Sequence, residues 1–134
     1  MEKIKKVAAL EQRQLNVIQH IVPLLETVGE ALEEIQVMVE ELRFESCRPL
    51  LSDILMAVES IQGALPEIAS AVGLEQSSAE EAAREVKEKL AEVVAIFDNQ
   101  KPGYLDVAIL EGFLPACRKW KTMLEQSLGY LTQN

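Results

Sequence analysis

Apolar residues recur along this chain at steps of three and four, the spacing that lines one side of a helix. In residues 50–72, LLSDILMAVESIQGALPEIASAV, the residues Leu51, Ile54, Val58, Ile61, Leu65, Ile68 and Val72 keep that rhythm, and only Asp53, Glu59 and Glu67 carry charge. A helix that commits so little of its surface to water sits between neighbours. This stretch therefore predicts the best-buried helix of a small bundle.

The first part of the chain reads as helix from Ile4 to Phe44. Leu15, Ile18, Val22 and Leu25 form one apolar run and Val28, Leu32, Ile35, Val39 and Leu42 a second. A step of three replaces the expected four where the runs meet, so the stripe shifts around the helix. Pro23 lies beside that shift. Lacking a backbone donor and crowding the preceding turn, it predicts a kink or a short break from His20 to Pro23.

Residues 43–49, RFESCRP, predict the first turn, with Ser46 as the N-cap and Pro49 in the first turn of the second helix. That helix ends at Gly73 and is interrupted by Pro66. The third opens on the capping-box spacing of Ser77 with Glu80, or Ser78 with Glu81, and carries Ala79, Ala83, Val86, Leu90, Val93 and Phe97 on one stripe. Residues 98–103, DNQKPG, break the pattern. The last helix runs from Leu105 to Leu131, packs Phe113, Cys117, Trp120 and Leu124, and bends at Pro115.

The fold class expected is all-α: an up-down-up-down four-helix bundle with a long, Pro-kinked first helix, forming a single domain over residues 1–134. At about 1.5 Å per residue the first helix outruns its neighbours. Residues 1–22 are then expected to overhang, to fold back at Pro23 or to pair with another chain, with Ile4, Val7, Leu15 and Ile18 as apolar surface for a partner or for a homodimer.

Composition narrows the function classes. A net charge of −9 across 134 residues opposes general nucleic-acid binding, which draws its affinity from clustered lysine and arginine. The start, MEKIKKVAALEQRQ, has too short an apolar run for a signal peptide, and the longest uncharged run, Gln14 to Leu25, falls short of a bilayer span. A cytoplasmic protein without membrane insertion is expected. Cys47 and Cys117 are too few and too far apart for a disulfide scaffold or a zinc site.

Candidate chemistry is sparse. His20 is the single histidine, which excludes paired-histidine catalysis and histidine-rich metal sites. It leaves a phosphocarrier role of the kind that some helical subunits of sugar-transport systems perform with one histidine. Glu26, Glu30 and Glu33 share one helical face, suited to a basic partner or, with acids from another helix, to a divalent metal. The Glu-x-x-His pattern of carboxylate-bridged metal bundles does not occur here, and neither does the EExxE arrangement of all-α pyrophosphohydrolases. Cys47 sits beside Arg48 in the predicted turn, where a cation favours the thiolate. Trp120 stands on the apolar stripe among Arg118, Lys119 and Lys121, which places the ring in the core and the bases on a rim.

The expected function is that of a non-enzymatic adaptor, regulator or chaperone-like protein, with partner contacts at Ile4, Val7, Leu15, Ile18, Glu26, Glu30 and Glu33 and with no cofactor or metal. The alternative is a phosphocarrier or metal-dependent enzyme using His20 or a carboxylate cluster.

Overall fold

The computed structural model describes residues 11–99 and 102–132. These are almost entirely helical, and no strand occurs among them. The long elements are α1 (Gln12–Glu40), α2 (Phe44–Ala64), α4 (Gln76–Asp98) and α6 (Leu114–Thr132). A 3₁₀ turn (Leu65–Glu67) and a short α3 (Ala69–Val72) continue α2, while a three-residue α5 (Leu105–Val107) and a π-helical turn (Ala108–Phe113) lead into α6.

The core draws on every long helix, and no polar or charged residue is buried among those described. Ile21, Ile35, Val58, Ile61, Val86, Val93, Phe113 and Trp120 are all fully out of water. α1 packs most extensively on α2, α4 on α6, and α1 also on α6; α2 and α4 share the least contact of these neighbouring pairs. No described helix is long and apolar enough to cross a membrane.

α1 opens on a capping box between Glu11 and Gln14 and runs without a break through Pro23. The helix is not interrupted at His20 to Pro23. Pro23 is exposed, and the Thr27 hydroxyl donates to its carbonyl at 3.0 Å, a back-bond of the kind that bends helices without ending them. Pro66 has the stronger effect. The regular helix stops at Ala64 and the chain passes through the 3₁₀ turn before α3 resumes.

The first turn falls earlier than residues 43–49. Arg43 donates its backbone N–H to the Met38 carbonyl and Leu42 to the Val39 carbonyl, the paired bonds of a Schellman ending. Leu42 takes the left-handed position at φ 60°. With α1 closed there, α2 begins at Phe44 with Arg43 as its N-cap, so Ser46 lies inside the helix and Pro49 beyond its first turn. The third long helix is likewise capped at Glu75, without a side-chain capping bond. Ser77 instead donates to the Glu75 carboxylate at 3.0 Å, because the helix starts before either predicted capping box.

The start of α1 at Gln12, more than the earlier turn, changes the lengths. α1 and the stretch from Phe44 to Val72 are equally long, so the chain beyond Pro66 reaches back along the start of α1. The Gln14 side chain donates to the Glu67 carbonyl at 3.1 Å, and Arg13 pairs with the Glu67 carboxylate. Nothing from Glu11 onward overhangs; residues 1–10 lie outside the described ones.

Leu42 is 74% exposed, so its side chain contributes little packing, whereas a left-handed backbone costs a residue with a Cβ about 1 to 2 kcal/mol. Leu42→Gly is expected to stabilise the fold by about 1 kcal/mol, after allowing for the greater freedom of glycine in the unfolded chain. Thermal unfolding should show the midpoint rising by about 4 °C; an unchanged or lower midpoint would contradict the geometry at this turn.

Candidate functional site

The seam between α2 and α4, the neighbouring pair with the least contact, is hollow, and its sequence shows what lines it. α2 turns its stripe of Leu51, Ile54, Val58 and Ile61 into the core, and Leu55 and Met56 fall outside it. On α4, Val86, Leu90 and Val93 point inward, and the neighbouring outward positions are Ala91, Val94 and Ala95. Alanines that close to the junction are too small to fill it. A cleft of about 290 Å³ lies at one end of the junction, its apolar walls made by Leu51, Leu55, Leu90, Val94 and Phe97, and the alanines line its continuation.

Arg48 and Asp98 stand at one end of this cleft. The Arg48 guanidinium lies 4.4 Å from the centroid of the Phe97 ring, a cation–π contact, and its Nε is 3.3 Å from the Glu45 carboxylate. The hollow continues past Leu55 and Leu90 toward Glu59 and Lys87, whose side chains approach to 4.0 Å. Beyond these it turns polar, between Gln62, Glu80 and Arg84. Early residues of α2 thus face late residues of α4 along its whole length. Met56 and Val94, 66% and 45% exposed, stand beside the opening.

The polar end is tied to the core. Trp120, fully buried, donates its indole N–H to the Gln62 side chain at 2.8 Å. One atom of Gln62 thereby fixes the tryptophan while the residue lines the seam.

The residues singled out from sequence distribute differently. Ile18 is 1% exposed and belongs to the core, so it is not available to a partner. Leu15 is half-buried against the same core. Ile4 and Val7 lie outside the described residues. Glu26, Glu30 and Glu33 are exposed along α1, as is His20. Among the described residues no three His, Cys, Asp or Glu side chains gather closely enough to hold a metal ion.

The seam was missed because its signal lies off the main stripes. Leu55, Met56, Ala91, Val94 and Ala95 are apolar residues at positions that helices facing water would give to charge. They occur on the facing sides of two consecutive helices.

Both cysteines are buried free thiols. Burial pushes the Cys117 thiol up to about 12, against the opposing pull of Arg118. Burial raises Cys47 as well, against Arg43, and its Sγ–H donates to the Arg43 carbonyl at 3.7 Å. The beginning of α2 therefore does not activate Cys47. At pH 8 both thiols stay protonated in the folded protein, and the thiolate is the reactive form. A thiol reagent at pH 8 is expected to modify neither cysteine until denaturant is added and both afterwards; rapid labelling of Cys47 in the native protein would contradict this.

The family described as "Domain of unknown function (DUF8042)" matches residues 16–123. No curated protein matches the chain, and no solved structure does. The match covers most of the chain and includes both walls of the seam, and the chain belongs to that family.

Proposed function

We propose that this chain is a non-enzymatic binding protein, an adaptor, regulator or chaperone-like module that takes apolar surface of another polypeptide into the seam between α2 and α4. The observation that carries the reading is the seam itself, an elongated hollow walled by Leu51, Leu55, Leu90, Val94 and Phe97 and continuing toward Glu59 and Lys87. Its shape suits a helix laid in a groove, where binding comes from apolar side chains spaced along one face.

The scaffold we infer is an up-down-up-down four-helix bundle in one domain, with α1 bent at Pro23. Support comes from the ladders of contacts between neighbouring helices and from the missing donor of Pro23. We place the protein in the cytoplasm, where buried free thiols such as Cys47 and Cys117 persist. The exposed acids Glu26, Glu30 and Glu33 offer a basic partner a secondary contact. The phosphocarrier or metal-enzyme alternative has less support: His20 is exposed on α1, as a phosphoacceptor has to be, but it lines none of the hollows of the seam.

A photo-crosslinking residue placed in the cell at position 56 or 94 tests this reading. Discrete protein adducts are expected from both positions, none from the exposed Gln126, and loss of the adducts when Leu55→Asp puts a charge into the seam. Adducts from position 126 alone, or adducts indifferent to Leu55→Asp, would contradict it.

A further inference from the structure

We propose that the occupant of this seam is the same seam of a second copy of the chain, in a two-fold dimer whose axis crosses α4 at Ala91. The proposal rests on reading the seam as a docking surface and adds the identity of what docks.

Charge is the first argument. The chain carries a net −9, so two copies approaching at random faces repel. The hollows of the seam, however, are lined by both signs, with Arg48, Lys87 and Arg84 beside Asp98, Glu59 and Glu80, while Glu45 pairs with Arg48 and Glu88 is exposed nearby on α4. The acidic side of α1, with Glu26, Glu30 and Glu33, has no such balance.

Placement is the second. Arg84 and Asp98 lie seven residues to either side of Ala91, two helical turns in each direction. They share its face at roughly 10 Å above and below. A two-fold axis perpendicular to α4 at Ala91 reverses the helix onto itself. It brings Arg84 of one copy level with Asp98 of the other, and repeats the pair at the opposite end, as an isologous interface requires. The ion pairs that α4 makes with described residues use Glu85, Lys87, Lys89 and Glu92, which leaves Arg84 and Asp98 for this role.

Packing is the third. At the level of the axis α4 presents Ala91 and Ala95, which let a second helix come close, and both are exposed in the single chain. Val94 and Met56, 45% and 66% exposed, lie next to them and gain cover. The surface involved, two helices wide and about 27 Å long over residues 80–98, is at the small end for a stable interface. The dimer therefore forms and dissociates with concentration.

Sedimentation of the full chain over a ~1–300 µM range gives the first readout, with the mass expected to rise from 14.9 kDa toward twice that value. Arg84→Glu sets two acids against each other at both ends of the interface, and Asp98→Lys does the same with two bases. Each variant alone should weaken the dimer about tenfold. Mixed in equal amounts they restore both pairs, and the mixed dimer should re-form with near-original affinity. Both substitutions are at exposed positions, and the mixing step separates loss of the interface from loss of the fold.

A chain that stays monomeric throughout, or a dimer indifferent to both reversals and to mixing, overturns the proposal. If the crosslinks at positions 56 and 94 then join a different protein, the seam remains a docking site and only the identity of its occupant is wrong. If those positions give no adduct at all, the docking reading fails as well.

Discussion

The indole of Trp120 has no route to water, and the arrangement of α2 against α6 follows from that. A buried tryptophan removes about 200 Å² of mostly apolar surface from solvent, worth roughly 5 kcal/mol of transfer. Its N–H would forfeit part of that gain if left unpaired. Gln62 supplies the acceptor at 2.8 Å from the middle of the bundle. This bond ties together two helices that are far apart in sequence and otherwise touch little. The other hydrogen bond from a fully buried side chain, the weak one of the Cys47 thiol, stays at the start of its own helix. Among the described residues the rest of the interior relies on shape and apolar contact.

The opposite side of Gln62 faces α4. Along that junction Leu51 and Leu55 stand across from Leu90, and Gln62 across from Ala83. Small residues at Ala91 and Ala95 do not close the remaining space. What remains between α2 and α4 is an apolar hollow flanked by charges of both signs, which is why partner binding is the reading that the shape supports.

Much of this was legible in the sequence. The three-four spacing identified all four long helical stretches, and Gly73 closes α3 at φ 72° as a glycine at a helix end should. The boundaries were harder. A leucine in the left-handed position at residue 42 gives no signal of its own, since glycine or asparagine is the usual marker, and Ser46 and Ser77 offered attractive caps that the backbone does not use. Missing the helix start at Glu11 and placing the first turn late together made α1 look too long, and that in turn made Ile18 look like free surface. The seam escaped notice for another reason: periodicity reports which face of each helix points inward, but which outward faces of two helices lie side by side depends on the packing. The chemistry of the candidate residues was easier to read. One histidine and two separated cysteines set limits that the fold does not relax.

The claim on which all of this depends is that the junction of α2 and α4 is open in a single chain. Methyl NMR of the dilute protein with a soluble paramagnetic probe measures it directly, since the probe broadens only those methyl groups that it can approach. An open seam predicts strong broadening of Leu55, Met56 and Val94 and little for Val28, Val58 and Val93 in the core. Protection of Leu55 and Val94 equal to that of Val58 in the dilute monomer would mean that α2 and α4 are closed on one another and that this surface has no room for a partner.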